Sequence, residues 1–123
     1  MKNKADDKVM RLLILLRLDI NSLQRRICHR KREYIYTFSL QRKRDHFSEI
    51  FENRYQAVTI EMLSGLTEEI IVSLDNYYTV VDEAYWYLMH TQDMGNTVED
   101  KIDGYIKRLE EAYSILVLYL DAE

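Results

Sequence analysis

Residues 9–27 read VMRLLILLRLDINSLQRRI, and the spacing within that run decides the fold. Val9, Leu13, Leu16, Ile20, Leu23 and Ile27 alternate steps of four and three, the rhythm of one helix face held over about five turns. The chain has no proline, and its glycines are Gly65, Gly95 and Gly104. Long stretches therefore lack any residue that breaks a helix, and long helices are expected. Met10 to Leu18 has the greasiness of a signal core, but Asp6 and Asp7 precede it and Arg11 and Arg17 interrupt it. The unbroken apolar run, Leu12 to Leu16, is too short for a leader or a membrane span, so an unprocessed cytoplasmic chain is expected. The single cysteine, Cys28, has no internal disulfide partner, which fits a reducing compartment.

Downstream, Phe47, Phe51, Tyr55, Val58 and Met62 recur at three or four residues and predict a second helix. Gly65 breaks it, and Thr67 is placed to cap a third helix that opens on Glu68 and Glu69. That helix carries the seam Ile70, Leu74, Tyr77, Val81, Ala84 and Leu88. Gly95-Asn96-Thr97 separates it from a fourth, with the heptad-spaced seam Val98, Ile102, Tyr105, Leu109, Ala112, Leu116 and Tyr119. Only the join between the first and second helices is open, since nothing in residues 33–45 forces a break, although Thr37 or Ser39 could cap a new helix.

The expected fold is all-α, an antiparallel up-down-up-down four-helix bundle forming a single domain over residues 1–123, with a turn near residues 34–39. The alternative is a long helical hairpin rod completed by dimerisation. Both give soluble helical proteins with an apolar fraction of 47% and a charged fraction of 31%.

Charge is divided unevenly. Residues 1–61 carry 14 Lys/Arg against 8 Asp/Glu, and residues 62–123 carry 3 against 13. The formal net charge of −4 thus hides a dipolar chain whose halves either neutralise each other or meet different partners. The basic half peaks at Arg25, Arg26, Arg30, Lys31, Arg32, Arg42, Lys43 and Arg44, interleaved with Tyr34, Tyr36 and Phe38. Cations among aromatics suit single-stranded nucleic acid or an acidic protein. They also suit internal pairing with Asp93, Glu99, Asp100 and Asp103, which a bundle brings to the same end.

Two further surfaces follow from helix geometry. Helix one bears a second apolar row, Met10, Ile14 and Leu18, and helix four bears Ile106, Tyr113, Val117 and Leu120. In an up-down-up-down bundle these meet at one end as a sticky patch centred on Met10, Ile14, Val117 and Leu120, suited to a homodimer. On helix three, Tyr78, Tyr85 and Met89 share a side beside Trp86, either core or a second protein-binding face.

No catalytic residue, metal site or cofactor site is expected. His46 and Glu49 have the spacing of a Glu-x-x-His pair in reverse order, with His90 and Asp93 a weaker echo. Cys28 and His29 have no further ligand nearby in sequence, no glycine-rich phosphate loop is present, and Cys28 suits buried packing. The function expected is therefore non-enzymatic protein-protein interaction with self-association; small adaptors, secretion chaperones and immunity proteins are often such bundles. The alternative is a nucleic-acid-binding accessory subunit using the basic residues 25–44.

Overall fold

The computed structural model describes residues 4–122, with side chains from Asp7 onward. Among the described residues the protein is all-helical, without strands, and its helices pack on one core. Helix α1 spans Lys4–Leu23 and passes into a π-helical segment, Gln24–Cys28, then a tight turn and α2, Lys31–Gln41. Two short helices follow, α3 (Phe47–Phe51) and α4 (Ile60–Leu63), with a single 3-10 turn, Tyr55–Ala57, between them. Two long helices finish the chain, α5 (Glu68–His90) and α6 (Gly95–Asp121). No helix among the described residues is long and apolar enough to cross a membrane.

Directions follow from the cross-contacts. Helix α6 runs against α1 and α2: Arg17 pairs with Asp121, Tyr113 with Asn21, and Lys31 with Glu99 and Asp103. It also runs against α5, where Glu83 meets Arg108 and the Tyr87 ring meets Tyr105. Helices α1 and α5, each running against α6, therefore share a sense, and they touch where Tyr78 meets Asp19 and Tyr77 meets Gln24.

The first pass bends later than its sequence predicts. Residues 34–39 lie inside α2, where the Thr37 hydroxyl donates back to the Glu33 carbonyl instead of capping a new helix. The chain leaves the helix at Arg42, a non-glycine residue in the left-handed region at φ 53°. That conformation costs about 1 kcal/mol. The Arg42 guanidinium helps hold it, lying 4.5 Å from the Phe38 ring centre and donating to the Asp93 carbonyl. A continuous rod through residue 60 is thereby ruled out.

Where one long second helix is expected, residues 47–66 form a broken return pass. Two polar side chains from the first pass take up its backbone groups. Arg26 donates to the carbonyls of Glu49 and Ile50, and the Asp19 carboxylate accepts the Arg54 N–H at 3.0 Å. The Arg54 N–H, given to Asp19, is lost to a helix ladder, and Arg26 supplies donors to the Glu49 and Ile50 carbonyls where α3 ends. The apolar spacing survives the break, because Phe47 and Phe51 are buried and Tyr55 and Val58 half-buried, while Met62 faces outward.

The third and fourth helices follow their seams, but Gly95-Asn96-Thr97 does not separate them: these residues form the first turn of α6, whose N-cap position is Met94. Thr67 caps α5 by accepting the Ile70 N–H, and every seam residue from Ile70 to Leu88 is buried. In α6 the seam drifts: Val98, Ile102, Leu109 and Leu116 are buried, but at its end Leu120 is inside and Tyr119 at the surface. A straight helix rotates about 20° per heptad relative to a seven-residue repeat, and three heptads carry the core face one residue onward.

Candidate interaction surfaces

The outer face of α1 is the main apolar surface. Met10, Ile14, Leu15 and Leu18 are all exposed, Ile14 at 55% and Leu18 at 53%. The helix places them there because its core face is already filled by Leu12, Leu16, Ile20 and Leu23. Leu15 belongs to the long apolar run and extends the expected row sideways, over the groove that Lys8, Val9 and Leu12 form with Met62 and Gly65.

The fourth-helix row does not join this surface. Leu120 is only 4% exposed, and Val117 and Tyr113 are half-buried against the core, with the Tyr113 hydroxyl donating to Asn21 at 2.6 Å. Those residues form the seam between α6 and α1, which the drift of α6 turns inward. What α6 exposes instead is Ile115 and Leu118. Arg17, paired with Asp121 at 2.9 Å, marks where the α6 terminus meets α1.

The aromatic group on α5 divides by depth. Tyr78 is buried, stacked on Tyr55 at 4.1 Å and donating to Asp19 at 2.6 Å, so it belongs to the core. Tyr85 is half-buried against Phe51, and Met89 is half-buried. Only Trp86 is freely displayed, at 64% exposure, with its ring stacked on His90. Beside Tyr85 lies an open cavity of about 370 Å³, rimmed by Glu49, Glu52 and Asp82, where burial raises the Asp82 carboxyl above its ordinary range.

The basic residues divide as well. Arg26 binds the α3 carbonyls, and Lys31 sits 2.7 Å from Asp103 and 3.2 Å from Glu99, contacts that raise its ammonium pKa, Asp103 most strongly. Arg42 reaches Asp93, while Arg44 donates to the carbonyls of Leu88 and Thr91 and so closes the C-terminus of α5. Arg25, Arg30, Arg32 and Lys43 remain exposed. Four of the eight expected patch residues are thus engaged within the molecule, but only Lys31 pairs with carboxylates of the acidic stretch; Arg26, Arg42 and Arg44 bind main-chain carbonyls.

A polar layer on α1, invisible as a motif, lies behind the apolar surface. Buried Gln24 accepts the Tyr77 hydroxyl at 2.8 Å and contacts the Cys28 thiol, while the buried Tyr34 hydroxyl donates to the Ile27 carbonyl at 2.6 Å. The sequence signal was present: Asp19 stands between Leu16, Ile20 and Leu23, where an acid must find partners. Burial, with Glu110 adding to it, pushes the Cys28 thiol up to about 12, the direction that disfavours the thiolate. Among the described residues, no three His, Cys, Asp or Glu side chains are placed to share a metal.

No protein family, curated protein or solved structure matches the chain.

Proposed function

We propose that this chain is a small cytoplasmic, non-enzymatic protein-protein interaction module that self-associates through the outer face of α1. The exposed apolar row Met10, Ile14, Leu15 and Leu18 carries the reading. Four large apolar side chains on adjacent turns of one helix make a contiguous surface of the kind that marks a partner site. We read the four passes of the chain as an up-down-up-down bundle in which the broken second pass takes the place of a helix. In that arrangement the α1 row is the larger apolar helix face left outside among the described residues, with Ile115 and Leu118 of α6 a smaller one. Two-fold symmetry, a coiled-coil-like contact between α1 helices and a homodimer follow as the simplest assembly.

Light scattering over a concentration series tests this. The wild type gains mass toward twice the monomer value as concentration rises, and Ile14→Asp stays monomeric while keeping its helical circular dichroism. A wild type that remains monomeric up to about 100 µM, a range in which even weak specific dimers populate, contradicts it. Binding of single-stranded oligonucleotide that falls steeply with salt would instead favour a role for Arg25, Arg30, Arg32 and Lys43.

A further inference from the structure

We infer that the partner of the α1 face is a second copy of the same helix laid antiparallel about a two-fold axis at the level of Leu16, pairing Asp7 with the second copy's Arg25. This rests on the self-association proposed above and deepens it by fixing direction and register. The outward stripe of α1 and the first π-helical turn runs Asp7, Arg11, Ile14, Leu18, Asn21 and Arg25, alternating steps of four and three. Such spacing keeps one stripe facing one neighbouring helix. Arg11, Ile14, Leu18 and Arg25 are exposed, and Asp7 and Asn21 are half-buried at its margins.

Read backwards, the stripe complements itself. With a two-fold axis at residue 16, Ile14 meets Leu18 of the second copy and Leu18 meets its Ile14. Arg11 faces the neutral Asn21, whose Oδ1 already accepts the Tyr113 hydroxyl. Asp7 at one end faces Arg25 at the other, so a contact about 27 Å long closes with opposite charges at both ends. Met10 and Leu15, exposed on either flank, widen the apolar centre. A parallel pairing of the same stripe would set Asp7 on Asp7, Arg11 on Arg11 and Arg25 on Arg25. Three like-charge contacts across the axis argue against that arrangement, which acts as its own exclusion.

The charged ends and the apolar centre give separate tests. Arg25→Glu alone and Asp7→Lys alone each weaken the dimer roughly tenfold, since each converts two symmetric attractions into repulsions. The double variant Asp7→Lys with Arg25→Glu restores wild-type association. Direction is read by oxidative cross-linking, with wild type, whose only thiol is Cys28, as the control. Ile14→Cys mixed with Leu18→Cys forms a disulfide-linked pair, whereas neither protein cross-links efficiently alone. If Ile14→Cys cross-links to itself, or if the charge exchange fails to restore the dimer, the antiparallel register is overturned while self-association stands. A wild type that is monomeric at every concentration overturns both.

Discussion

At the scale of single residues, the molecule spends polar groups on fixing backbone. Asp19, Arg26, Arg42 and Arg44 all reach main-chain N–H or carbonyl groups at least 23 positions away. These contacts engage three members of the basic cluster, Arg26, Arg42 and Arg44, although Arg42 stays exposed. They were not legible beforehand, because an arginine that caps a distant carbonyl looks in sequence like one facing water. The Lys31 contacts with Glu99 and Asp103 were legible, since a basic and an acidic stretch were expected at one end. One residue is out of step with its setting: Gly104 lies within α6, away from both ends, with nothing within 4 Å of where a Cβ would stand. Gly104→Ala is therefore expected to stabilise the protein by about 0.5–1 kcal/mol, seen as a higher urea midpoint with an unchanged slope. A destabilising result would show that this part of α6 is not a free helix surface.

At the scale of elements, the long helices were written in local periodicity and the return pass was not. In α5, apolar spacing and the Thr67 cap agree, so local and tertiary preferences coincide. In residues 47–66 the spacing is equally helical, but Asp19 and Arg26 claim the backbone at Arg54, Glu49 and Ile50. Tertiary hydrogen bonds then outweigh local preference. Removing the carboxylate should release this pass. Asp19→Ala leaves the buried Tyr78 hydroxyl and the Arg54 N–H without their acceptor, a loss of about 2 kcal/mol. Amide exchange at Arg54 and the neighbouring 3-10 turn should accelerate well beyond exchange in α5 and α6. Acceleration spread evenly over all helices would contradict a local anchoring role. The α6 row tells a related story: Ile106, Tyr113, Val117 and Leu120 form a second apolar row by spacing, but helix drift turns Tyr113, Val117 and Leu120 toward α1 and the core instead of into an exposed patch.

For the whole molecule, burial of tyrosines and the thiol sets a pH dependence. Desolvation raises the pKa of Tyr34, Tyr77 and Tyr78, the last also through its hydrogen bond to Asp19, and carries Cys28 to about 12. The folded state thus retains protons that the unfolded chain gives up from about pH 9 to 10, the ordinary range for thiols and phenols. Stability is intact below that range and falls as pH rises through it, because the unfolded state then binds fewer protons than the native one. The melting midpoint should stay level from about pH 7 to 8.5 and decline steadily toward pH 11. A midpoint that is flat to pH 11 would mean these hydroxyls and the thiol are solvated.

The basic half meets the acidic half where Arg17 pairs with Asp121 and Lys31 with Glu99 and Asp103, and the exposed apolar face of α1 is the surface proposed for a second copy. Sedimentation velocity of the wild type beside Leu18→Glu, each at low and high salt, tests this most directly. The expected result is a concentration-dependent dimer boundary for the wild type that persists at high salt, with Leu18→Glu sedimenting as a folded monomer throughout. Identical monomer boundaries for both proteins at every concentration would contradict the account.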